Sequence, residues 1–230
     1  MNFLAHYYLD RDHPGSLFAL GAATPDLLSI YNSGLRIKKG HANRMAGQPL
    51  NPEEAMLLQG IQRHFAADAA FHSSAFFQAE TGHITDLLEE RFPGNQATRK
   101  YFVAHVLLEL LLDKVLIQEE PTLLDEYYAH YKGHSPFATV SSATERVAGK
   151  PLPNYADFLE KFLQNRYLGN YRQWEHIQYV LTRILRRVGV ERYEYIDTPA
   201  FVELMRVYEE RLKTLYKDMF AQMRKTLGSN

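Results

Sequence analysis

Residues 101–116 are apolar at nearly every position. The only His, Asp or Glu residues there before Lys114 are His105, Glu109 and Asp113, spaced i, i+4, i+8. A helix that is hydrophobic almost all round is normally buried. Three ionisable groups on one stripe of such a helix are costly unless something pairs with them. The chain must therefore bring polar partners to this helix.

A second segment carries a matching pattern. Residues 60–72 contain no proline, and Ile61, Phe65, Ala69 and Phe71 make the segment largely core-facing. Its His64, Asp68 and His72 are again four apart, on one face of a helix. Two such helices, face to face, would make a cage of imidazoles and carboxylates, and a divalent metal suits every member at once. The plainer reading is direct pairing without metal, for example His64 with Glu109. Both readings stand on residues alone.

At 230 residues the chain can bury a sizeable core, and 46% hydrophobic with 23% charged residues is ordinary globular composition. The formal net charge of -1 offers no bulk attraction to nucleic acid or an anionic membrane, so no nucleic-acid partner is expected. No cysteine is present, which removes disulfides, thiolate nucleophiles and sulfur-ligated zinc. No apolar run has the length of a membrane span, and the start lacks the basic and long apolar regions of a signal peptide. A soluble cytoplasmic protein is expected.

No stretch alternates with period two, so an all-α fold is expected: a multi-helix bundle in a single domain over residues 1–230, with a weak division point at the Gly/Pro linker 149–153. Asn51-Pro52-Glu53-Glu54 is a strong helix start. Thr24-Pro25 is expected to break a short helix over residues 17–23. Asp26 then sits at a bend, either as a ligand or as the cap of a following turn. Residues 32–51 read as loop, with a basic cluster at Arg36, Lys38, Lys39 and His41. That cluster is either a solvated loop or a phosphate clamp, with Arg36, Lys38 and Lys39 as substrate-binding residues. Further helices are expected over 76–92, from Asn95 or Thr98 to about 120, and over 122–131, 137–147, 154–163, 171–188 and 198–227.

The opening Met1-Asn2-Phe3-Leu4-Ala5-His6 resembles the start of acyl carrier protein phosphodiesterases. So does the spacing of Gly60, Ile61, His64, Asp68 and His72, and Glu109 with Asp113 resembles a paired-aspartate motif of that family. The resemblance implies a helical, HD-like metal-dependent phosphohydrolase, manganese-dependent, that cleaves the phosphodiester joining 4′-phosphopantetheine to a serine of acyl carrier protein. A thinner similarity, through Gly21, Ala22, Pro25, Asp26, the His64 helix, His105 and Glu109, points to zinc-dependent phospholipase C-like enzymes. It implies His6, Asp26, His64, Asp68, His72, His105 and Glu109 as metal ligands, with His41 as a further candidate. In those enzymes the N-terminal amine is a ligand, a role that an unprocessed Met1 is expected to displace here.

The expectation is a metal-dependent phosphodiesterase. His64, Asp68, His105 and Glu109 are its inner ligands, Asp26, His72 and His6 complete the set, and Asp113 ligates or orients. Asp26 and Asp68 are the catalytic candidates. Mn is the favoured ion, with Fe or Zn compatible. Acyl carrier protein or a small phosphodiester is the expected partner. The alternatives are a non-catalytic helical protein with buried His/carboxylate pairs, and a domain that uses its 15 Tyr and 13 Phe as a groove for an acyl chain.

Overall fold

The computed structural model describes residues 1–228 except 14, 33, 95, 96, 135, 191 and 192. Every regular element among them is helical, and the fold is all-α. In chain order the α-helices are α1 (Phe3–Leu9), α2 (Ser16–Tyr31), α3 (Lys39–Met45), α4 (Pro52–His72), α5 (Ala75–Arg91) and α6 (Ala97–Glu119). They continue with α7 (Leu123–Lys132), α8 (Ala138–Ala148), α9 (Tyr155–Asn165), α10 (Trp174–Arg187) and α11 (Pro199–Gly228). Short 3-10 turns cover Tyr167–Arg172 and Glu194–Asp197.

The start of α4 matches its sequence signature. Asn51 Oδ1 accepts the Glu54 amide hydrogen at 2.8 Å, and the Glu54 carboxylate accepts that of Asn51 at 3.0 Å. This reciprocal pair satisfies two donors that the helix itself leaves open. Ser74 caps α5 through the Phe77 amide, and Thr198 caps α11 through the Phe201 amide. Asn95, one candidate start for α6, lies outside the described residues.

Two expectations are corrected. Thr24-Pro25 does not break the second helix, because α2 runs through Pro25 to Tyr31. An interior proline costs about 3 kcal/mol, but α2 buries Leu20, Gly21, Ala22, Ala23, Thr24, Leu27 and Leu28 on both sides of it. Burial of Leu27 and Leu28 alone contributes about that much. Asp26 is therefore inside a helix and caps nothing. The loop expected over 32–51 contains α3, anchored by buried Ile37 and Ala42.

The chain divides into two compact units, one formed by Met1–Ala5, Ala70–Pro121 and Gly169–Asn230, the other by His6–Ala69 and Thr122–Leu168. Residues 149–153 lie inside the second unit. In the first unit α6 packs against α5, α10 and α11, as its nearly unbroken apolar surface requires. Glu80 of α5 ties to α11 by accepting hydrogen bonds from Tyr208 and, in a fork, from Arg211. In the second unit α7 packs on α2 and α9, and α8 packs on α3 and α9. Tyr127, Tyr128, Tyr131 and Tyr155 are fully buried there, so much of the aromatic content is core.

Candidate metal centres

In the second unit, two glycines set the first centre. A Cβ on Gly21 of α2 would lie 2.2 Å from the Leu57 carbonyl oxygen, and one on Gly60 of α4 would lie 2.1 Å from that of Phe18. The two backbones can come this close only without side chains at these positions. The crossing brings the Ala22 carbonyl within reach of His64, one turn beyond Gly60, and His64 Nδ1–H donates to it at 2.8 Å. Arg63 adds a two-pronged ion pair to Asp10, just after α1, at 2.6 and 2.8 Å.

The Ala22 bond fixes the His64 tautomer. With the proton on Nδ1, the Nε2 lone pair faces Asp68 Oδ2 at 3.4 Å. Burial pushes the His64 imidazole down to about 3, and the neighbouring His6 ring adds to the shift. His64 is therefore neutral at neutral pH. The His6 ring stacks on it with centroids 4.0 Å apart. His6 Nε2 is buried and stands 3.2 Å from Asp68 Oδ1. Burial works to raise the Asp68 carboxyl, but nearby positive charge and the hydrogen bond with His6 hold it below the usual carboxylate range. One ligand atom each from His6, Asp26 and His64 lie within 4.8 Å of one another. Imidazole nitrogens gathered on an ionised carboxylate, one locked by a carbonyl behind it, form a set that could hold a metal ion.

The second centre is in the first unit. His72 Nε2 and His105 Nε2 hydrogen-bond Glu109 Oε1 at 3.0 and 3.1 Å. The Met1 amine donates to the same oxygen at 3.0 Å. The amine is thus inside the cluster and not displaced from it. Burial would raise the Glu109 carboxyl, but the Met1 ammonium and the hydrogen bonds from His105 and His72 hold it well below the usual range. His72, His105 and Glu109 also offer ligand atoms within 4.8 Å of one another, and all three are partly exposed.

The structure thus assembles the expected ligands in two groups. His64 and Asp68 are answered by His6 and Asp26, whereas His72 meets His105 and Glu109. Each i+4 step on a helix turns about 40° past a full turn, so a stripe at this spacing does not stay on one line, and His72 belongs to the first unit with His105 and Glu109. The same drift carries Asp113 off the line of His105 and Glu109. Asp113 is fully buried and accepts the Leu4 and Ala5 amide hydrogens at 3.1 and 2.8 Å, at the start of α1. Burial pushes its carboxyl up to about 7, against the pull of those two amides. His41 is a packing residue, its Nε2–H donating to the Val147 carbonyl at 2.8 Å. Arg36, Lys38 and Lys39 are exposed, with Lys38 and Lys39 at the start of α3. The sequence reading missed the carbonyl behind His64 and the amides facing Asp113, which leave no trace in residue identity.

Compared with protein-family models, curated proteins and solved structures, the chain finds no match.

Proposed function

We propose that the protein is a metal-dependent phosphoester hydrolase whose reaction centre is the His6/Asp26/His64/Asp68 group. The observation that carries this reading is the neutral His64, whose Nε2 lone pair faces the ionised Asp68. Two electron-rich atoms held together need a cation between them. The buried Nε2 of His6 is aimed at the same carboxylate, 3.2 Å from Asp68 Oδ1.

His6, Asp26, His64 and Asp68 would hold a divalent ion, which would supply Lewis-acid activation of water and offset charge on phosphoryl oxygens. His6 and His64 would supply nitrogen donors, and Asp68 would balance the charge. The Ala22 carbonyl keeps His64 from turning away. Asp26 positions the attacking water and takes its proton. The water oxygen bonds to phosphorus, the ester P–O bond breaks, and the departing alkoxide takes a proton from solvent, to which Asp26 releases the one it accepted. Nitrogen and carboxylate donors without sulfur suit Mn, and also Fe or Zn. The His72/His105/Glu109 group is a second holding place for the same class of ion. The resemblance at Met1–His6 and in the His64 segment favours phosphopantetheine-bearing acyl carrier protein as substrate.

The test joins elemental analysis of the purified chain to hydrolysis of bis(p-nitrophenyl) phosphate and of holo-acyl carrier protein. Asp68→Asn is expected to lose the bound ion and to slow hydrolysis by about 100-fold or more, the scale of a lost catalytic group. Full activity in Asp68→Asn, or in the wild type after exhaustive chelation, would sink the reading.

A further inference from the structure

No acidic residue occurs between Asp26 and Glu53, although the whole chain carries a formal net charge of -1. That interval holds Arg36, Lys38, Lys39 and Arg44, and all four side chains are exposed. The structure adds two more cations to them. Helix α3 packs on α8, with His41 bonded to the Val147 carbonyl and lying against Gly149. A Cβ on Gly149 would meet the His41 ring at 2.9 Å, and its φ of +64° is itself a glycine conformation. This close fit fixes the end of α8 beside α3, with exposed Arg146 and Lys150 flanking the contact. None of the six cations forms an ion pair among the described residues. Glu145, next to Arg146, is turned away and accepts the Leu152 amide hydrogen at 2.6 Å.

We propose that this α3/α8 face is a docking surface for an acidic protein, the carrier of the phosphoester that the hydrolase cleaves; the second clause rests on the proposed function. Six cations without an ion pair among the described residues are costly in self-repulsion and are relieved by a complementary partner. Residues 32–51 contain no Phe, Tyr or Trp, so the face offers no platform for stacking bases. Its apolar anchors Ile37 and Ala42 are buried beneath it and are not presented for insertion into lipid. An acidic protein surface needs neither feature. This gives Arg36, Lys38 and Lys39 a partner-binding role in place of a clamp on a small phosphate.

The test is calorimetric titration of the full-length chain with holo-acyl carrier protein, a small acidic helical protein, at low and moderate salt. The Asp68→Asn background prevents turnover. Binding is expected to weaken roughly tenfold or more when Lys38→Glu, Lys39→Glu and Arg44→Glu are combined, and to weaken with salt. Helical circular dichroism of the triple variant serves as the folding control. A second variant, Arg146→Glu with Lys150→Glu, is expected to act in the same direction. Equal binding by the variants and the parent overturns the proposal, as does no binding at low salt. Tighter binding to a single-stranded oligonucleotide or to phosphatidylserine vesicles overturns the partner class. Hydrolysis of bis(p-nitrophenyl) phosphate, followed separately, reports on the metal centre, so the two readings fail independently.

Discussion

His64 and Asp113 are buried groups that answer to pH in opposite senses. An unfolded histidine takes up a proton near pH 6.5, but burial holds native His64 at about 3. Between those values the unfolded chain binds the extra proton, so stability falls as pH falls, by about 1.4 kcal/mol per unit at full effect. Burial raises native Asp113 to about 7. Here the native chain holds the extra proton above the unfolded value of about 3.9, and stability falls as pH rises toward 7. In metal-free protein the two slopes oppose each other between pH 5 and 6. Asp113→Asn removes one of them. Its unfolding free energy from urea titration is expected to rise with pH across that window, more steeply than in the wild type. At pH 5 the variant should also be less stable by about 1–3 kcal/mol, because an amide side chain leaves one of the Leu4 and Ala5 N–H groups without an acceptor. A wild-type slope equal to that of the variant would contradict this assignment.

Among the elements, the crossing of α2 and α4 bears most directly on the first centre. Gly21→Ala and Gly60→Ala each drive a methyl group into backbone and must separate the helices. A loss of about 3 kcal/mol or more is expected for each, at the high end for overpacking. Gly82 of α5 is the internal control, since a Cβ there meets nothing within 4 Å. Gly82→Ala should stabilise by about 0.5–1 kcal/mol through helix propensity alone. Thermal melts of the three variants check the contrast. The same crossing shows where sequence reading succeeds and where it stops. The periodic segments, the Asn51 cap and the apolar character of α6 follow from local chemistry and were legible. The passage of α2 through Pro25 was not, because tertiary burial decides it. Helix α3 was hidden by its glycine-rich flanks. The polar residues of the two stripes were visible as ligand types, yet which of them join which group, and that Asp113 joins neither, follows from helical drift and from which backbones approach. Those facts live in the fold and not in the spacing.

At the scale of the whole molecule, the division into two ligand sets has a consequence that can be counted. Among the described residues no helix is long and apolar enough to cross a membrane. His6, Asp26, His64 and Asp68 belong to one compact unit, and His72, His105 and Glu109 to the other. If each set holds an ion, the wild type binds two equivalents, and Asp68→Asn and Glu109→Gln each bind one fewer. An ion that binds only the folded state stabilises it by about 2.7 kcal/mol at a free concentration one hundred times Kd. In a chain of this size each kcal/mol moves Tm by about 2–4 °C. Chelation of one site is therefore expected to lower Tm by roughly 5–10 °C. The two variants should each keep part of that response, and the double variant should lose it. The histidines of the first set are almost completely buried, whereas His72 and His105 are about one-third exposed. The first ion should therefore leave more slowly, so timed dialysis against chelator is expected to give a fast loss that Glu109→Gln removes and a slow loss that Asp68→Asn removes. A single kinetic phase untouched by either substitution would show that neither set is the resident metal site.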